Sequence, residues 1–200
     1  NREVSNLEDL ISWYIEVLDK LDLNEFTLIG ASKGGWLAVN LALHLQNRVE
    51  KLILLSPLQT FGPIQPGTKV LSAISYALNP NRERLGNALK SMSVNVSRID
   101  TLYIDQFHKG TKIADHDRLL MKFKPYKRKE LKTLKMPVLV LIGDQDIINK
   151  KSIIEKANKF IPHAETWIIQ DAGHFLSMDQ SEITNSRILD FLNTQEVTSK

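Results

Sequence analysis

Apolar and polar positions alternate in two rhythms along this chain, and the changes of rhythm mark its elements. Leu7, Leu10, Ile11, Tyr14, Ile15, Leu18 and Leu21 recur every three or four residues, the spacing of one helix face. Ser5-Asn6-Leu7-Glu8 ahead of them reads as a capping box, so a helix is expected to about Lys20. Four other runs are short and continuously apolar: Phe26–Ile29, Lys51–Ser56, Pro137–Ile142 and Thr166–Ile169. Such runs read as strands buried on both faces. Helical spacing returns from Gly35 to about Gln46, over Ser152–Phe160, and from Glu182 to about Leu192, after which the chain is polar. Strands alternating with helices in this way predict an α/β fold, a mostly parallel sheet with helices on both faces.

The stretch from Leu58 to Leu134 breaks the rhythm. It has helical pieces but no convincing strand, and its Gly and Pro residues cluster at Phe61–Gly67 and Asn79–Asn81. It reads as an insert over the strand ends, a helical cap or lid. The expected organisation is a core of residues 1–57 and 135–195 interrupted by a cap of residues 58–134. There is no internal repeat and no low-complexity tract.

Composition changes this picture little. The chain has 200 residues, of which 42% are hydrophobic and 24% charged, as in ordinary globular domains. A net charge of +3 is too mild to imply a nucleic-acid partner. The run Lys122–Lys129 is basic with interleaved aromatics, and reads as a solvated linker back to the sheet. No apolar run reaches the roughly 18 residues of a membrane span. Cysteine is absent, which removes disulfides and thiolate chemistry. No signal peptide is visible, so a cytoplasmic location is expected, although a first residue of Asn rather than Met leaves room for an upstream segment.

The chemistry is concentrated where strands end. Phe26–Ile29 runs into Gly30-Ala31-Ser32-Lys33-Gly34-Gly35 and then a helical pattern. Gly-x-Ser-x-Gly between strand and helix is a nucleophile elbow: Ser32 sits at the apex of a strained turn, and small residues at Gly30 and Gly34 avoid clashes. The backbone N–H of Lys33 then lies at a helix N-terminus, suited to an oxyanion. A serine hydroxyl is a poor nucleophile at neutral pH and needs a base oriented by an acid. Gly143-Asp144-Gln145-Asp146 follows the third strand, and Asp171-Ala172-Gly173-His174-Phe175 the fourth. Ligands bind beyond the carboxyl ends of such strands. Ser32, Asp146 and His174 are therefore the expected triad, with Asp144 the alternative acid. His44 reads as a helix-face residue, His163 as a turn residue, and His108 and His116 as surface residues of the insert. No cluster has metal-ligand spacing.

These motifs resemble those of the α/β-hydrolase superfamily, in the branch with a helical cap after the sixth strand. The resemblance covers nearly all of residues 1–192. It implies Ser32 as nucleophile, His174 as base, Asp146 as acid, and the Lys33 N–H as one oxyanion donor. A serine nucleophile separates the chain from the dehalogenase and epoxide hydrolase branches, which use aspartate. The superfamily also implies several strands before the elbow, with a loop there giving the second oxyanion donor, whereas this chain has one helix before Phe26. The Phe26–Ile29 strand should thus show an open edge, met by self-association or by a missing N-terminal segment.

The implied function is hydrolysis of an ester-like bond in a small, hydrophobic acyl substrate, without metal or organic cofactor. Phe61 and Phe175 are the expected pocket residues, and Trp36 is expected to serve helix packing. The same fold also hosts carbon–carbon bond hydrolases, lyases and non-catalytic ligand-binding or signalling proteins.

Overall fold

The computed structural model describes residues 4–64, 67–113 and 123–194. Four strands form one sheet: β1 (Phe26–Ala31), β2 (Val49–Leu55), β3 (Val138–Gly143) and β4 (Glu165–Ile169). The helices are α1 (Leu7–Lys20), α2 (Lys33–His44), α3 (Thr68–Leu78), α4 (Arg82–Met92), α5 (Thr101–Ile113), α6 (Arg128–Leu131), α7 (Ser152–Phe160), α8 (Leu176–Asp179) and α9 (Ser181–Asn193). The strands lie side by side in chain order and all pairs are parallel. Every strand falls within two residues of the apolar run that predicted it. The start of α1 is capped one residue later than expected. Asn6, not Ser5, accepts from the Asp9 N–H at 2.9 Å, and the Asp9 carboxylate closes the box on the Ser5 N–H.

The pleat sends alternate residues to opposite faces. Leu52, Leu54, Val138, Val140 and Ile142 meet α2 and α7 through Val39, Ala42, Ile153 and Ala157. Ile53, Leu55, Leu139 and Leu141 meet Leu176 of α8 and Phe191 of α9. All six residues of β3 are buried. Each fully buried aliphatic side chain there contributes about 1.5–3 kcal/mol before entropy is counted. Lys51 fastens the closing helix: its ammonium donates to the carbonyls of Phe191, Leu192 and Thr194 at 2.7–2.9 Å, capping the end of α9.

β1 differs from β3. Among the described residues β1, like β4 at the opposite end of the sheet, has a strand on one side only. Ile29 is the register partner of Ile53, yet it is 52% exposed.

Between β2 and β3 the chain leaves the sheet and forms α3, α4, a short 3-10 turn (Val96–Arg98), α5 and α6. Among the described residues this insert contains no strand. Tyr76, Leu85, Ala88, Leu89 and Ile99 give it a small core, which Phe175 and Met178 join from the sheet side. His108 is not a surface residue: it is buried, and its Nδ1 lies 3.0 Å from the Tyr76 hydroxyl. Burial, helped by Lys112 and Arg82, lowers its pKa. His116 lies outside the described residues. The basic run returning to the sheet is solvated only in part. Lys124, Lys127, Arg128 and Lys129 are exposed, but Phe123 and Tyr126 are buried against Trp36, whose ring stacks on Phe123 at 3.9 Å. The Tyr126 hydroxyl donates to the Trp36 carbonyl at 3.0 Å, and burial pushes its pKa up. No helix among the described residues is long and apolar enough to cross a membrane.

Candidate active site

The turn from β1 to α2 sets the position of Ser32. Its φ of 49° and ψ of −118° put it in a region that L-residues with side chains rarely adopt. Neighbouring backbone holds it there. Ser32 N–H donates to the Leu55 carbonyl at 3.0 Å, and the Ser32 carbonyl accepts from Gly35 and Leu58 N–H groups at 3.0 and 2.9 Å. A Cβ at Gly30 would lie 2.8 Å from the Gly35 Cα and press on the Gly34 carbonyl, so no side chain fits. The second steric requirement falls on Gly35, where a Cβ would lie 2.9 Å from Pro57. It does not fall on Gly34, where a Cβ would meet open space. The elbow spacing Gly-x-Ser-x-Gly therefore identifies the turn correctly but assigns the second glycine one residue too early. Lys33 begins α2, so helix geometry gives its N–H no partner within the helix.

Asp146 and His174 come from the loops after β3 and β4. These loops cross over one another. A Cβ on Gly143 would lie 2.7 Å from the Ala172 carbonyl carbon, so only glycine at the end of β3 lets the His174 loop pass. Asp144 accepts from the Ala172 N–H at 3.1 Å and ties the two loops together, without touching His174. Asp146 faces His174, with 3.1 and 3.2 Å between its two oxygens and Nδ1. A carboxylate only accepts, so the ring proton sits on Nδ1 and leaves Nε2 free to accept. Nε2 is 2.9 Å from the Ser32 Oγ, which donates to it.

Asp146 is buried, which raises its pKa. The bond and charge of His174, and the N–H groups of Ile148 and Asn149, outweigh that effect and hold the carboxyl below its ordinary value. Asn149 was not singled out in the sequence. Its backbone N–H and its side-chain amide both donate to Asp146, at 3.1 Å each. An acid followed by a turn of this kind is a detectable signal, because the Asp side chain accepts from N–H groups two and three residues on. His174 and Asp146 are both buried, while Ser32 remains partly open to solvent.

The pocket expectations divide. Phe175 is half-buried beside His174, with ring centroids 6.1 Å apart, and it makes a T-shaped contact with Phe107 of the insert. Phe61 is 2% exposed within the sheet core and does not form an open wall. Gln59, two residues earlier, has a φ of 52°, and the Phe61 ring joins the core cluster that includes Ile153 and Ala157 of α7. His44 and His163 each face a backbone carbonyl, of Asn40 and Met136 respectively. No group of three or more His, Asp or Glu side chains among the described residues is arranged to hold a metal.

A parallel sheet flanked by helices, with a serine at a strained strand–helix turn and acid and histidine at successive strand ends, defines an α/β hydrolase. The family model described as serine aminopeptidase, S33 (Hydrolase_4) matches residues 4–181, and the chain belongs to that family. Two Bacillus subtilis proteins are similar to it in sequence. The uncharacterized carboxylesterase nap is 29% identical over 199 residues, covering 96% of this chain and 65% of nap. Carboxylesterase YbfK is 29% identical over 191 residues, covering 92% and 63%. The crystal structure of naproxen esterase from Bacillus subtilis superposes with a TM-score of 0.85 at 26% identity, covering 96% of this chain and 68% of the esterase. The chain thus spans a little under two thirds of the length of the curated relatives it matches.

Proposed function

We propose that the chain carries the catalytic machinery of a serine carboxylesterase, with Ser32 as nucleophile, His174 as general base and Asp146 as the orienting acid. The observation that carries this reading is the unbroken chain from the Ser32 Oγ through the His174 ring to Asp146, with no link longer than 3.2 Å. The resemblance to carboxylesterases supports it independently.

In this reading His174 Nε2 takes the Ser32 proton as Oγ attacks the ester carbonyl. The imidazolium formed is stabilised by Asp146, whose low pKa keeps it ionised throughout. The Lys33 N–H, at the positive end of α2, stabilises the oxyanion. Collapse expels the alcohol, which leaves with the proton from His174, and an acyl-Ser32 ester remains. His174 then activates water to release the acid and restore the hydroxyl. The cycle needs no metal or organic cofactor. The insert acts as a cap, and Phe175, between the insert and His174, presents an apolar wall that suits a small hydrophobic acyl group.

The test is labelling with a fluorophosphonate, read by intact mass and peptide mapping, together with hydrolysis of p-nitrophenyl esters of graded chain length. Labelling at Ser32 that disappears in Ser32→Ala and His174→Ala is the expected result. A folded protein that resists labelling would overturn the reading.

A further inference from the structure

Asp179 is buried, at 1% exposure, and takes no part in the triad. Its carboxylate accepts from four donors at once. One is the Gly173 N–H at 2.8 Å, in the residue directly before His174. The other three come from the insert: the Ser93 hydroxyl, the Val94 N–H at 3.1 Å and the Asn95 N–H at 3.4 Å. On the other side of His174, the Phe175 N–H donates to the Met92 carbonyl at 3.1 Å. Arg98 adds a bond from its guanidinium to the Asp179 carbonyl at 2.6 Å. The approach is close enough that a Cβ on Gly173 would lie 2.5 Å from the Met92 oxygen. His174 is therefore gripped before and after by the end of α4 and the turn that follows it.

We propose that Asp179 is a positioning residue that clamps the insert to the His174 loop and so sets the alignment of the imidazole with Ser32. A buried carboxylate is stable only when its lone pairs are filled, and three N–H groups and one hydroxyl fill them here. The donors come from two separate regions, so the carboxylate joins them. Removing its charge leaves several donors short of an acceptor and frees the loop on which His174 rides. An asparagine has the same shape but only one accepting oxygen, and its NH2 group faces donors. Misplacement of a catalytic group by about 1 Å is enough to cost about 100-fold in rate.

The kinetic half of this proposal rests on the esterase reading, so the experiment has two readouts. The first is the rate of fluorophosphonate labelling at Ser32, well below the melting temperature. The second is the His174 Nδ1–H signal in protein carrying 15N-histidine, which reports the bond to Asp146 without turnover. Asp179→Asn is expected to slow labelling by about 10- to 100-fold and to broaden or abolish the Nδ1–H signal by faster exchange. Ser93→Ala, which removes one donor and leaves the carboxylate, is expected to slow labelling by about 2- to 5-fold, and decides the matter if Asp179→Asn does not fold. A lower melting temperature with labelling rate and Nδ1–H signal both unchanged would show a purely structural residue and overturn the proposal. If the parent protein is not labelled at all, the esterase reading fails alone. The Nδ1–H signal then decides the clamp: its loss in Asp179→Asn supports it and its persistence overturns it.

Discussion

Ile53 and Ile29 are register partners on adjacent strands, yet Ile53 is sealed from solvent beneath the sheet's covering helices while Ile29 lies half in water. The site draws on both kinds of strand. Asp146 rides on the loop after β3, a strand buried along its whole length, and Asp144 of that loop accepts from the Ala172 N–H of the loop that carries His174. Ser32 and His174 follow β1 and β4, the strands at the two edges of the sheet among the described residues. The difference teaches that the geometry of Ser32 does not come from sheet burial. It comes from a locally over-determined turn, held by Leu55, Leu58 and the glycines around it.

The sharpest way to separate the two halves is to damage each chemically. Asp146→Asn keeps the shape of the acid but favours the wrong imidazole tautomer, and should lower esterase turnover by about 10⁴-fold. Its pH signature is also specific. The Asp146 pKa is lower folded than unfolded, so its contribution to stability is fully present above the unfolded value of about 3.9 and is lost as pH falls through the folded value. Acid unfolding from about pH 5 downward should therefore be less steep in Asp146→Asn than in the parent.

Burial predicts the next largest contrast. Leu139→Ala on β3 empties a fully buried site and should cost about 2–5 kcal/mol in denaturant unfolding. Ile29→Ala on β1 should cost under about 1 kcal/mol. Equal costs would mean that the open face of β1 is covered in solution. The turn gives a smaller pair. Gly30→Ala forces backbone apart and should cost about 1–3 kcal/mol and reduce Ser32 labelling. Gly34→Ala, in open space within the first turn of α2, should stabilise by about 0.5–1 kcal/mol. The smallest effect is Ile29→Lys, within about 0.5 kcal/mol on stability. If β1 pairs with a second copy of the chain, the charge should weaken that pairing, measured by sedimentation, because a charge on an edge strand discourages it.

These contrasts also explain what the sequence discloses. Strands were legible because β2 and β3 are buried on both faces and their runs are continuously apolar. The hydrogen-bonded chain of Ser32, His174 and Asp146 was legible because elbow, acid and histidine each follow such a run in a fixed order. Asn149 carried a local signal in the turn after Asp146, whereas Asp179 carried none, because it acts through fold-dependent contacts and a lone polar residue near a histidine has no periodic signature. The burial of Phe61 and of His108 escaped for the same reason: both are decided by partners far away in the chain. Gly35 lost to Gly34 because spacing marks a turn without saying which atom Pro57 will approach.

The chain leaves the sheet at Leu55 and rejoins it at Val138, with the whole insert in between. Closing so long an excursion adds little to the equilibrium cost, about 0.6 kcal/mol per doubling of length. Its weight falls on time. The β1–α2–β2 unit can assemble from near neighbours, whereas Ser32 and His174 are 142 residues apart and meet only after the excursion has closed. Contacts so distant in sequence slow folding. On refolding from denaturant, helical signal should return first, and reactivity at Ser32 should be the last property the chain regains.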